Sequence, residues 1–88
     1  MQAINYVKKV ANAHNVAITY SSTHIVNTVY GAQNTVLTVR FVAHFTCLER
    51  FLRAINVLYT AKYNTCILLE NSKSVEQQCN YAVMQFSI

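Results

Sequence analysis

The apolar positions change period several times along the chain, and each change marks an element. In residues 2–14, Ile4, Val7, Ala11 and His14 share one helical stripe, Tyr6 and Val10 widen it, and Asn5, Lys8, Asn12 and Asn15 lie off it. The spacing predicts a helix. From Val16 the period becomes two: Val16, Ile18 and Tyr20 alternate with Ala17, Thr19 and Ser21, the pattern of a half-buried strand. The polar triplet Ser21-Ser22-Thr23 then reads as a break, and residues 25–30 as a second β-rich run. Gly31-Ala32-Gln33-Asn34 is the clearest turn, because Gly and Asn tolerate positive φ. Residues 35–43 form the strongest strand, with Leu37, Val39 and Phe41 toward a core and Thr38 and Arg40 away from it.

Leu48, Phe51, Leu52, Ile55, Leu58 and Tyr59 restore helical spacing and predict a helix over 47–61. Thr46 and Glu49 fit a capping box, and Glu49 and Arg53 an i,i+4 ion pair. A short strand is expected over 65–70. A polar stretch follows over 71–78, where Ser74 and Gln77 could cap a helical turn. Residues 81–88 alternate once more, with Ala82, Met84, Phe86 and Ile88 on one side. The expected fold is therefore one α+β domain spanning 1–88, in the order α-β-β-β-α-β-β. Its antiparallel sheet of four to five strands carries both helices on one face. The opposite face would hold Val36, Thr38, Arg40, Val42, Tyr81, Val83 and Gln85.

Composition changes the picture in one respect. Of 88 residues only 11% are charged, against roughly 25% in ordinary domains. Nine Asn, eight Thr, five Ser and five Gln take their place. Such a surface is neutral and hydrogen-bonding, and copies of it repel one another weakly. The net charge is +4, with no Asp and three Glu. The basic residues are scattered, with no run longer than Lys8-Lys9. No stretch approaches the length of a membrane span, and no apolar run after Lys8-Lys9 suggests a secretory signal. Three Cys, an odd number without framework spacing, suggest reduced thiols and a cytoplasmic setting.

Candidate chemistry is thin. Cys47 at a helix start, three residues after His44, has the elements of an activated thiol, but no Asp exists to orient the His. Its expected role is a small apolar filler. His44, Cys47, Cys66 and Cys79 contain one short-spaced ligand pair where structural zinc sites use two. No metal, cofactor or catalytic residue is expected. Phosphate-cradling and hydrolase motifs are absent, and a single Gly leaves none for such a loop.

The order helix, three strands, helix over 2–62 resembles double-stranded-RNA-binding domains in element order. That family's Lys-rich cluster at the second helix is replaced here by Thr46-Cys47-Leu48-Glu49-Arg50, and its turn histidine is matched only by His24. The size resembles that of small phage anti-CRISPR proteins, without a shared motif.

The expectation is a non-enzymatic protein-binding module: an inhibitor or adaptor of phage or mobile-element origin acting on a protein partner such as a host complex. Val36, Thr38, Arg40, Val42, Tyr81 and Val83 would form its contact face. Arg40 has no predicted acidic neighbour, so a partner carboxylate or phosphate would complement it. A homodimer is also expected, through this face or through the C-terminal strand if that is an edge. The alternative is a nucleic-acid-binding domain for double-stranded RNA or DNA, using Lys8, Lys9, Arg50, Arg53 and Lys62.

Overall fold

The computed structural model describes residues 3–88; Gln2, the first residue of the predicted N-terminal helix, lies outside them. Helix α1 spans Ala3–Ala13 and buries Ala3, Val7, Val10 and Ala11. It ends in a Schellman-type cap. Asn15 takes φ 57°, Asn15 N–H bonds Asn12 O at 3.2 Å, and Val16 N–H bonds Ala11 O at 2.9 Å. Strand β1 (Ala17–Asn27) and β2 (Gln33–His44) make a long hairpin, α2 (Phe45–Lys62) follows without a loop, and β3 (Cys66–Ser74) and β4 (Cys79–Ser87) form a second hairpin. All pairings are antiparallel, in the order β1-β2-β4-β3. The fold is α+β, with both helices packed on one face of a single open sheet.

The described residues form four strands, in the order α-β-β-α-β-β. The predicted break at Ser21-Ser22-Thr23 is not a turn. β1 runs through it, paired with Val39, Thr38 and Leu37. On this edge strand Ser21 and Thr23 are exposed and Ser22 is half-buried, so polarity there reports exposure. The turn lies earlier than expected, at Thr28–Ala32. Thr28 N–H bonds Ala32 O at 2.8 Å and Gly31 N–H bonds Thr28 O at 3.0 Å. Gly31 adopts φ 78°, a conformation open to glycine. Gln33 and Asn34 already belong to β2. With two strands between the helices in place of three, the element order no longer matches the double-stranded-RNA-binding pattern. β3 continues to Ser74, so the first half of the polar stretch is strand, and the helical turn expected in it is a tight turn with Gln78 at φ 53°. The C-terminal strand β4 lies between β2 and β3. It is no edge, and self-pairing along it is excluded.

α2 starts two residues before the predicted boundary. The last residue of β2, His44, caps it, its Nδ1 accepting from Thr46 N–H at 3.4 Å. Thr46 is therefore inside the first turn and is not the cap. Glu49 instead accepts from Arg53 at 2.9 Å, an exposed pair of small energetic weight. The core is aromatic: the Phe41 ring lies 4.7 Å from Phe51 and 6.3 Å from Phe86, and Tyr59 lies 4.9 Å from Phe86. Tyr59 donates to Ser87 O, tying the end of β4 to α2. Leu48, Phe51 and Ile55 are fully buried, as are Val39 and Phe41 opposite them. Leu52 was expected among the buried residues but is only half-buried, at the rim of the core facing β3.

Candidate contact surfaces

Among the described residues, no helix covers the outer face of the sheet. β2 and β4 form its centre, and their register places Thr38 opposite Gln85, Arg40 opposite Val83, and Val42 opposite Tyr81. The six residues expected to form the contact face thus share one side of two neighbouring central strands. They are not equally available. Arg40 is exposed; Thr38, Val42, Tyr81 and Val83 are half-buried. Val36 is 3% exposed, enclosed between His24 of β1 and Ser87 of β4. It supports the face and offers little surface to a partner.

Two features were not foreseen. Arg40 has an internal partner: its guanidinium lies 4.4 Å from the centre of the Tyr81 ring, a cation–π arrangement that fixes both side chains. Second, Tyr20 joins the face. Strict alternation puts Tyr20 on the same side as Ile18, toward the core. The β1–β2 register shifts between Ile18 and Tyr20, however, so Ile18 packs on the core while Tyr20 sits opposite Arg40, 56% exposed. One extra residue in one strand reverses the facing of all that follow. No local sequence signal marks that bulge. The resulting cross-strand row is Tyr20, Arg40, Val83 and Glu70. Beside it, Thr38 Oγ1 is buried without a hydrogen-bond partner.

The basic residues of the alternative reading occupy the other layer. Lys8, Lys9, Arg50, Arg53 and Lys62 are all exposed on the two helices, where Glu49 is the one acidic residue. The strands and their turns carry Arg40 and Lys73 against Glu70 and Glu76. The whole formal charge of +4 therefore belongs to the helix layer. Arg53 is held by Glu49, and Lys62 Nζ lies 5.0 Å from the Tyr6 ring and 5.8 Å from that of Tyr63.

At the far side of the sheet a groove separates α2 from β3. One stretch, of about 230 Å³, is lined by Leu52, Arg53, Asn56, Cys66, Leu68 and Met84. A second, of about 400 Å³, shares Leu52 and Arg53 with the first and ends at Asn71, Lys73 and Asn80.

The histidines and thiols are dispersed. His14 Nδ1–H donates to Val10 O (3.0 Å) and the ring stacks edge-on to Phe51, His24 lies on β1, and His44 caps α2. Cys47, Cys66 and Cys79 are free, and Cys47 is half-buried against the core, the packing of a filler. Burial pushes the Cys66 thiol up from its usual range, opposed by a hydrogen bond with Thr60, and its Sγ lies 3.4 Å from Asn56 Oδ1. Among the described residues, no three His, Cys, Asp or Glu side chains converge as metal ligands, and no helix is long and apolar enough to cross a membrane. No protein family, curated protein or solved structure matches the chain.

Proposed function

We propose that this protein is a binding module, an inhibitor or adaptor, that engages a partner protein through the uncovered face of its sheet. The observation that carries the reading is the Tyr20–Arg40–Tyr81 group: an arginine pre-ordered on one tyrosine, with a second tyrosine in register beside it, on a face that no helix covers. Tyrosine and arginine are the residue types that most often anchor protein interfaces, because each presents a large, stiff surface with a polar tip. Holding Arg40 in advance lowers the entropy lost when it is bound. Few charges surround it, so docking strips water from few ions. Three free thiols suit a reducing, cytoplasmic setting for such a module.

Wild-type protein and the variants Tyr20→Ala and Arg40→Glu, immobilised side by side, test the reading in extracts of the source cells. A partner on this face is retained by wild type and by the helix-face control Lys8→Glu, and is lost by at least tenfold from both sheet-face variants. Equal retention by all four proteins refutes it.

Segregation of charge to the helices supports a second reading, a polyanion bound on the helix layer by Lys8, Lys9 and Arg50. Counterion release makes such binding fall steeply with salt. A double-stranded RNA or DNA complex whose affinity is unchanged between 50 and about 200 mM salt excludes it.

A further inference from the structure

β3 is an edge strand, and one hydrogen bond fixes which of its main-chain groups are free. Ser87 N–H donates to Thr65 O at 3.0 Å, which makes Thr65 and Ser87 a hydrogen-bonded pair of the β3–β4 ladder. Bonded and non-bonded pairs alternate along an antiparallel ladder. With Cys66 opposite Phe86, Ile67 opposite Gln85 and Leu68 opposite Met84, the N–H and C=O groups of Cys66 and Leu68 point away from β4. Among the described residues, no strand lies on that side. The register then shifts between Leu68 and Glu70, and the bulge ends the regular edge.

The side chains along this short edge are unusually apolar for their exposure. Ile67, Leu68 and Leu69 are 54%, 49% and 51% exposed. Cys66 and Leu68 face the helix layer and form one wall of the groove whose other wall is α2. The first stretch of that groove, about 230 Å³, is smaller than the roughly 300–1,000 Å³ of a small-molecule site and suits a side chain. Further along, Arg53 and Lys73 outnumber Glu49, and Asn80 Oδ1 is buried without a hydrogen-bond partner.

We propose that the β3 edge and this groove bind an extended segment of a partner protein by strand addition. Its main chain pairs with Cys66 and Leu68, giving four hydrogen bonds. One of its apolar side chains enters the groove beside Leu52 and Leu68. An acidic side chain beyond it meets Lys73 and Arg53. Main-chain pairing supplies affinity and the groove supplies selectivity, the usual division when a peptide joins a sheet edge. Two observations favour a short segment over a second copy of this chain. The bulge leaves too short a regular edge for another whole sheet, and a second copy would bring the same cationic excess to the same rim. This surface is separate from the outer-face group of Tyr20, Arg40 and Tyr81, and its fate does not depend on theirs.

A random heptapeptide library displayed on phage, panned in parallel on wild type and on Leu68→Glu, tests the proposal. Leu68 is half exposed at an edge, so the variant should fold; if its melting curve is abnormal, Leu68→Thr replaces it. The expected result is enrichment on wild type alone, of sequences pairing an apolar with an acidic residue. The synthetic peptide then slows hydrogen exchange of the Cys66 and Leu68 amides at least tenfold. N-methylation of its edge-facing amides weakens binding at least tenfold. Absence of enrichment, or equal enrichment on the variant, overturns the proposal. So does protection that appears elsewhere in the protein. Protection of Cys66 and Leu68 that rises with protein concentration without peptide also overturns it, by assigning the edge to a second copy.

Discussion

Phe51 and Leu52 are neighbours on α2 that differ sharply in burial, and truncating each to alanine measures whether the core lies where the structure puts it. Phe51 is fully buried, its ring 4.7 Å from that of Phe41 and 6.0 Å from that of His14. Phe→Ala at such a site costs about 3–5 kcal/mol, the lost transfer energy plus the cavity left behind. At about 0.05–0.15 kcal/mol per residue, a chain this size has a total stability of about 4–13 kcal/mol. The variant therefore loses a large share of it. Leu52 lines the open groove beside β3 and is half-buried. Its truncation creates no closed cavity, and the cost falls to about 1–2 kcal/mol, below the ~2–5 kcal/mol of a buried leucine. With about 4–8 °C of Tm per kcal/mol, Phe51→Ala should melt about 12–40 °C below wild type and Leu52→Ala about 4–16 °C below. Thermal melts and urea titrations followed by far-ultraviolet circular dichroism, with the urea slope unchanged, provide the measurement. Equal losses for the two variants, or a larger loss at Leu52, would refute this packing.

Burial raises the Tyr59 hydroxyl from its ordinary value, with Cys66 and Tyr63 adding to the effect, and burial also raises Cys66. A raised folded-state value means that the folded chain holds its protons longer, so this stability is complete below about pH 9 and is lost as pH rises through the folded-state values. Tyr59→Phe should shallow the alkaline decline while costing about 0.5–1.5 kcal/mol at neutral pH for the lost bond to Ser87 O; an unchanged alkaline profile counts against it. At Gly31, φ 78° with open space around the missing Cβ, alanine should cost about 1–2 kcal/mol from backbone conformation alone. A urea midpoint equal to wild type would show that the hairpin turn is otherwise.

Which parts of this fold could be read from the sequence follows from the range of the forces involved. Leu37, Val39 and Phe41 declare their facing through a period of two, and Leu48, Phe51 and Ile55 theirs through helical spacing, because each pattern is set by the residue's own element. Tyr20 does not, since its facing depends on a bulge upstream that no residue type announces. Ser21, Ser22 and Thr23 mislead for a related reason: a polar triplet looks the same in a turn and in an exposed edge strand. The interior position of β4 depends on pairing with β2 across 35 residues (His44 with Cys79) to 51 residues (Val36 with Ser87), and on β3 taking the outside. Local pattern carries none of that. The outer face of the sheet can be read as a set of alternating positions, but the burial of Val36 and the stacking of Arg40 on Tyr81 arise from neighbouring strands and become visible only with the register.

The two edges of the sheet are protected unequally, and this bears on self-association. β3 has a bulge, Glu70 and Lys73, all features that discourage edge-to-edge pairing. β1 has its bulge at the start and nothing after it. No Lys, Arg, Asp or Glu occurs from residue 10 to residue 39, and β1 pairs regularly from Tyr20 to Asn27. The bond from Thr28 N–H to Ala32 O sets the alternation here, so that Ser21, Thr23, Ile25 and Asn27 turn their main-chain groups outward. Two copies meeting along this edge bury no charge, and the cationic helix layers need not face each other. If this chain forms a homodimer, β1 is the edge that the charge distribution leaves open for it. The expected outcome in sedimentation at high protein concentration is a second species for wild type that Thr23→Lys removes and Leu68→Glu leaves in place. Thr23 is exposed on both counts of burial and position, so the lysine should leave the monomer folded. A wild type that stays monomeric throughout, or a dimer that survives Thr23→Lys, shows that neutrality and regularity along β1 are not enough to pair it.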